Sequence, residues 1–432
     1  MLYAVERVSG GDGMPLLIKV PRLGPGQPGE TVVTYEVERM VLAALQGRHV
    51  PRFVAAGDLE AQPYVVMERV EGRSLAEATG PLPAAEVARL GASVARALEA
   101  LHAQGGIHLD LKPSNVILRP GGEAVLIDFG LSRHLHYPDL LGEEAHAPVG
   151  SAPYVSPEAV LGVRNDPRSD LFSFGVVLYE LATGKLPFGA PTSSGGLRQR
   201  LWMDPAPPRA REPAVPEWLQ EVILRCLEPD PAERYPSAAA VAAELEHPEK
   251  VTVTERGRRL KTFGSRRRMG RWVRQLRYGE ISLGEKAEPG ARVVLVAVAT
   301  QHTNEERNDA LREEARRLVM PGMRLACVAI IKPASEPAGA MRGATSERIR
   351  HLVLLRHWSE SLNLPPGQVT HHVIESGDAA GALLDYARRN HVEQVLIGAP
   401  PRDVALSGLV GTVAMKVMAH APCTVTIVRP RS

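Results

Sequence analysis

Apolar and polar positions alternate loosely over residues 2–8, a turn-forming SGGDG stretch occupies 9–13, and 16–20 is a short apolar run. This pattern predicts two strands joined by a hairpin turn. Val37, Met40, Val41, Ala44 and Leu45 then recur on one face of a helix, and 63–70 has the character of another strand. Val87, Leu90, Val94, Leu98 and Leu101 mark a long amphipathic helix that the Gly105-Gly106 pair ends. From there to 246, loops and helices dominate, so a small sheet-rich lobe (about 1–70) precedes a larger helical one (about 71–246). From 291 to 432 the pattern changes. Strands at 291–300, 325–331, 369–375, 394–398 and 423–428 alternate with helices at 304–319, 346–362, 379–390 and from about 412. Such alternation predicts an α/β domain with a parallel sheet covered on both faces. Residues 247–290 connect the two parts, and no repeat of 20–50 residues is visible.

Composition adds exclusions. With 44% apolar and 23% charged residues, the 432-residue chain is expected to be a soluble globular protein. Its 39 glycines and 36 prolines make it loop-rich without reaching low complexity. Four Trp, nine Tyr and six Phe are few for a protein that stacks single-stranded bases, which argues against nucleic acid as the main partner. Cys226, Cys327 and Cys423 follow no ligand spacing, so neither a disulfide framework nor a zinc site is expected, and a reducing compartment fits. The opening MLYAVERV lacks signal-peptide character, and apolar runs such as 293–299 are too short to span a bilayer. A cytoplasmic location is the expectation.

The net charge is only +2, yet residues 247–290 hold twelve Lys or Arg against five Asp or Glu, leaving the rest of the chain net negative. Within 254–280, Met269, Trp272, Val273 and Leu276 share a helix face that Arg267, Arg268, Arg271 and Arg274 surround. Three readings stay open: a helix packed on the acidic remainder of the chain, a peripheral contact with an anionic membrane surface, or a nucleic-acid contact.

The densest chemistry lies in IHLDLKPSNVIL (107–118) and LIDFG (126–130). Phosphoryl transfer needs a group to orient the attacking hydroxyl, a cation for developing phosphate charge, and oxygen ligands for Mg²⁺. Asp110, Lys112, and the pair Asn115 and Asp128 supply these in order. The stretch resembles the eukaryotic-like (Hanks-type) serine/threonine protein kinases of bacteria, with their H-R-D-x-K-x-x-N catalytic loop and D-F-G metal loop. The resemblance runs through most of 1–246 and implies the bilobal α+β kinase fold, ATP and Mg²⁺ as cofactors, and Ser or Thr hydroxyls of proteins as substrates. It implies Lys19 of LLIKV as the ATP-anchoring lysine and Glu38 as its helix partner, with Glu36 as second choice. It further implies Met67 as gatekeeper and the backbone of Glu68 and Val70 as the adenine contact. His108 is expected to pack within the catalytic loop and Asp170 of the RSDLFSFG helix to hold that loop, while Glu158 of GSAPYVSPE pairs with Arg234 of DPAERYPS. The remaining histidines, His102, His134, His136 and His146, are read as ordinary polar residues.

Two departures accompany the resemblance. Gly10, Gly11 and Gly13 stand too close to Lys19 for the glycine-rich phosphate loop and read as a hairpin turn, so the first strand and that loop are expected to be missing. Leu109 replaces the arginine that reads an activation-loop phosphate, and between Gly130 and Gly150 there is no Thr, with Ser132 and Tyr137 the sole other hydroxyls. Control by phosphorylation of this loop is therefore not expected. The alternative reading is a pseudokinase or scaffold that binds without turnover.

Residues 291–432 are similar to the universal stress protein family, chiefly through 375–399 and APCTVTIV (421–428). The resemblance implies a phosphate site at Gly398, Gly411 and Thr412. Pro401, which has no amide hydrogen, replaces that motif's second glycine, and Ala299 stands where an acidic residue is usual. Nucleotide binding and a packing, regulatory or homodimer-forming role are both open for this domain. The combined expectation is a kinase acting in bacterial stress signalling.

Overall fold

The computed structural model describes residues 1–5, 13–22, 30–60, 62–144, 149–262, 292–301, 304–320, 322–332, 341–365, 367–399 and 413–430. Gly10, Gly11, His146, Pro401, Gly411, Thr412 and the 269–276 stripe lie outside them.

Among the described residues the first lobe has a four-stranded antiparallel sheet. Its strands are β1 (Leu2–Val5), β2 (Leu16–Lys19), β3 (Phe53–Ala56) and β4 (Val65–Glu68), in the order β1-β2-β4-β3. The pairing sets Leu17 against Met67 and Lys19 against Val65. Strand β3 is not announced by the hydrophobic pattern; FVAA is too short to show a period and takes its order from β4. Helix α1 (Glu30–Ala44) buries Val33, Val37 and Val41, one residue per turn on the core side.

In the second lobe, α2 (Ala84–His102) buries Val87, Leu90, Val94, Leu98 and Leu101, the stripe read from the sequence. A tight hairpin of β5 (Val116–Leu118) and β6 (Ala124–Leu126) follows. The segment beyond it carries the short helix α3 (Leu140–Glu144). Helix α4 (Arg168–Thr183) is buried almost all round and ends at Gly184, whose φ of +66° is the left-handed turn that glycine adopts without Cβ strain. Helices α5 (Glu217–Cys226) and α6 (Ala238–Glu246) complete the lobe.

The start of the basic connector is bound to this lobe. Glu221 of α5 accepts from the Thr254 and Gly257 backbone N–H groups and from Arg256 Nη1 at 2.7 Å. The Gln220 Nε2 donates to the carbonyls of Arg256, Gly257 and Arg259 at 2.8–3.0 Å. The connector's first charges are thus neutralised by acidic groups of its own chain.

The C-terminal domain is a five-stranded parallel sheet. Strands β7 (Arg292–Ala297), β8 (Met323–Ile331), β9 (Val369–Glu375), β10 (Val392–Gly398) and β11 (Thr424–Val428) stand in the order β9-β8-β7-β10-β11. Helices α7 (Glu305–Leu318), α8 (Met341–Glu360), α9 (Ala379–Arg389) and α10 (Val413–His420) connect them. The period of two divides the core: Val293, Leu295 and Val328 pack with α9 and α10, whereas Val294, Val296 and Cys327 belong to the opposite face. That second face, with Leu355 and Trp358 of α8, belongs to the same contiguous apolar cluster as the core of the N-terminal part. Among the described residues no helix is long and apolar enough to cross a membrane.

Candidate active site

Lys19 is the last residue of β2, a position that carries its ammonium from the sheet into the cleft between the lobes. It lies 2.7 Å from a Glu38 carboxylate oxygen and 2.7 Å from Asp128 Oδ1. Burial lowers the lysine's pKa, but Glu38 and Asp128 outweigh it and leave the group above its ordinary value. Burial would raise the Asp128 pKa, yet Lys19 overcomes it and holds the carboxyl below the usual range; Lys112 adds to the effect. Asp128 has a φ of +67°, a left-handed conformation uncommon for a residue with a side chain and often found where a group must be aimed. Glu36, two residues from Glu38, points elsewhere and pairs with Arg39 and Arg356.

Asp110, Lys112 and Asn115 form a second cluster. Lys112 Nζ lies 2.7 Å from Asp110 Oδ2 and donates at 2.7 Å to the Ser151 hydroxyl. The Ser151 N–H donates to Asp110 Oδ1 at 2.8 Å, while Asn115 Nδ2 donates to the Asp110 carbonyl and Oδ2 at 3.0 and 3.1 Å. With its NH₂ spent on Asp110, the Asn115 carbonyl oxygen is the end left for an electrophile.

This loop is held from behind. The Asp170 carboxylate accepts the N–H groups of His108 and Leu109, each at 2.8 Å, which clamps Leu109 at a φ of +59°. His102 completes the clamp with Nε2 at 2.9 Å from Asp170, a correction to its reading as an ordinary polar residue. Burial works against ionisation of Asp170, and the His102 contact and the backbone donors outweigh it, so its pKa is lowered. His108 is wholly buried; its Nδ1 accepts from the Asp110 N–H at 3.3 Å, so Nε2 carries the hydrogen directed at the Ile127 carbonyl, 3.1 Å away. A neutral ring in that tautomer ties the catalytic-type loop to the strand before Asp128. Ser132 is buried and donates to the His108 carbonyl at 2.9 Å, so its hydroxyl is not presented for modification.

Glu158 and Arg234 make a buried bidentate pair at 2.7 and 2.8 Å. Met67 is buried on β4; Glu68 bonds Arg119 at 2.6 Å, and Val70 follows it at the lobe junction. In the C-terminal domain, Gly398 ends β10 at a cavity of about 280 Å³ that Ala299, Asn304 and Arg307 also line. Arg307 lies against Gly398, where a Cβ would meet its Cδ at 2.5 Å. Sequence reasoning did not find the contacts that join the two parts, among them Glu143 with Arg324 and Arg356 with Glu36.

The protein kinase domain family matches residues 19–246, and the universal stress protein family matches 290–429. A probable serine/threonine-protein kinase of Clostridium perfringens is 32% identical over 220 residues, 50% of this chain and 32% of that protein. The serine/threonine-protein kinase PknB of Mycobacterium leprae is 32% identical over 235 residues, 53% of this chain and 38% of its own. A probable serine/threonine-protein kinase of Corynebacterium efficiens reaches 36% over 191 residues, 43% and 29% of the two chains. The chain thus spans about a third of the length of the curated relatives it matches. The chain belongs to the protein kinase family and carries, beyond its kinase domain, a domain of the universal stress protein family.

Proposed function

We propose that the chain transfers the γ-phosphoryl group of ATP to Ser or Thr hydroxyls of proteins, with residues 1–246 as the kinase domain, 247–290 as connector and 291–432 as a second domain. The reading rests on one observation above all: Lys19 bridges Glu38 and Asp128, while Asp110, Lys112 and Asn115 form a compact cluster beside them. In-line phosphoryl transfer is mostly positioning and charge stabilisation, and this arrangement offers both.

Asp110 orients the substrate hydroxyl and accepts its proton as the bond to phosphorus forms. Lys112, already against Asp110, follows the charge that develops on the transferred group. Lys19 grips the non-transferred phosphates, with Glu38 fixing its direction. Adenine stacks beneath the sheet, with Met67 behind it and the Glu68 carbonyl and Val70 N–H as its polar contacts. The oxygens of Asn115 and Asp128 form a hard donor pair suited to Mg²⁺, which when bound neutralises phosphate charge. Bacterial stress signalling in the cytoplasm is the setting that the second domain favours. Protein substrates are the partners, and the connector and a second copy of the C-terminal domain are further candidate contacts.

The test is transfer of labelled γ-phosphate from Mg-ATP to a Ser/Thr peptide library by the full chain. Turnover that drops by at least ~10² in Asp110→Ala and Asp128→Ala supports the reading. Equal rates in parent and variants overturn it, and absence of turnover in the parent with retained ATP binding returns the scaffold reading.

A further inference from the structure

Residues 137–144, which follow the metal loop, are seated on the C-terminal domain. Glu143 of α3 meets Arg324 of β8 at 2.6 Å, His372 of β9 at 2.9 Å and the Tyr386 hydroxyl of α9 at 2.7 Å. Its neighbour Glu144 meets His372 Nδ1 at 3.1 Å and pairs with Arg348 of α8. The Tyr137 ring lies against Gly367, and Leu141 of α3 is buried at 1% exposure. A second seam holds α1. Glu36 pairs with Arg356 of α8, and Glu60 meets His357 of the same helix at 2.8 Å.

Helix α1 links these seams to the cleft. Residues two apart on a helix point about 200° from one another. Glu38 therefore faces Lys19 while Glu36 faces α8, so the helix is bracketed between the cleft and the C-terminal domain. Helix α8 thus backs α1 from the side opposite the cleft, and the Glu36–Arg356 pair fixes the helix in the orientation that turns Glu38 toward Lys19. The charges in the α3 seam are buried and mutually paired. Such a cluster is costly to open one group at a time, because each unpaired charge would remain in a poorly solvated place. Docking is thus made or lost as a unit.

We infer that the C-terminal domain is a built-in clamp that positions the activation segment and the Glu38 helix, with Glu143, Glu144 and Glu36 as the positioning residues on the kinase side. Leu109 cannot read a phosphate and Ser132 is buried, so Arg324, His372 and Arg348 of the second domain hold the α3 end of the segment, in addition to the Asp139–Arg164 pair inside the kinase domain. The inference rests on the kinase reading for its effect on rate, but not for the docking itself.

The decisive experiment uses the full chain in four forms: parent, Glu36→Arg, Arg356→Glu, and both together. Each single reversal is expected to lower kcat about tenfold or more, and the double swap to recover it to within about threefold. Amide hydrogen exchange of 131–144 and of α1 should quicken in the singles and return in the swap. Tyr386→Phe, which deletes one hydroxyl and keeps the ring, should quicken exchange at 140–144 by a smaller factor. Parent-like exchange in both single reversals, or a swap no better than the singles, overturns the clamp. A parent without phosphoryl transfer refutes the kinase reading instead, and the exchange pattern still decides the clamp.

Discussion

Two charged clusters of this molecule look alike in composition and differ in closure. In the cleft, Lys19 and Asp128 keep side chains 30% and 46% exposed although they are in contact. Between the domains, Glu143, Arg324 and His372 are 7%, 11% and 0% exposed, and each is matched by a partner in the same cluster. Charges brought together and left partly open are poised for a ligand. Charges closed on one another hold two surfaces in register. The first arrangement fits chemistry and the second fits docking, although both are built from carboxylates against nitrogen cations.

The largest effect expected from this contrast is on rate. Asp110→Ala and Asp128→Ala should each lower kcat by ~10² or more, since preorganised electrostatic groups act on the transition state, and Asp128→Ala, at the open pair, should leave the thermal midpoint near that of the parent. Thermal unfolding run beside the phosphotransfer assay checks this. A collapse of the midpoint in Asp128→Ala would mean that the open cluster is structural after all.

A closed pair should behave the opposite way. Arg234 is wholly buried and forks onto Glu158, so Arg234→Ala strands a buried carboxylate beside the Ser169 hydroxyl. Breaking a buried pair from one side costs about 3–5 kcal/mol, or roughly 10 °C in the midpoint of a domain this size. Differential scanning calorimetry on the full chain measures it, and a shift under about 2 °C would erase the distinction drawn between open and closed clusters.

The two clusters also differ in how far the sequence revealed them. Asp110, Lys112, Asn115 and Asp128 fall within nineteen consecutive residues, because one loop and one strand end build that part of the cleft. Lys19 and Glu38 came from resemblance to a family, not from a local pattern. The parallel sheet was legible because its strands are continuous apolar runs and its helices have a strong period. The closed cluster was not, because Glu143 and His372 are separated by 229 positions and meet only after two domains dock. A signal existed in hindsight: VTHHVIE puts one histidine on each face of a strand, and a buried histidine needs a partner. His102 escaped for a similar reason, since a histidine at a helix end says nothing of an aspartate 68 residues on. Strand β3 was missed because four residues cannot display a period.

The smallest expected effect is the pH response, and it separates the clusters most finely. Burial alone would lower the pKa of His372, but the Glu143 and Glu144 carboxylates outweigh it and raise it to about 9. A raised histidine stabilises docking fully below its ordinary value near 6.5, and the contribution is lost as pH rises through about 9. Glu143 runs the other way. Burial is overcome by Arg324 and His372, which bring it to about 2, so its contribution is full above its ordinary 4.5 and lost as pH falls through about 2. The groups that face His372 do not compete in the alkaline window. Tyr386 is pushed well above its ordinary value, chiefly by burial and by Glu143; Arg324 is raised, the carboxylate of Glu143 outweighing burial. The adjacent His371 is held neutral, its pKa lowered to about 3 by burial and by Arg356 and His372. Docking should therefore be firmest between pH 4.5 and 6.5 and loosen toward pH 9, whereas Lys19, raised, and Asp128, lowered, keep their charges throughout. Amide exchange at 140–144, corrected for its intrinsic pH dependence, should quicken between pH 6.5 and 9.5 in the parent and change less in His372→Gln. Identical profiles in the two proteins would show that the imidazolium is not what holds the seam, and the closed cluster would then owe its register to Glu143 and Arg324 alone.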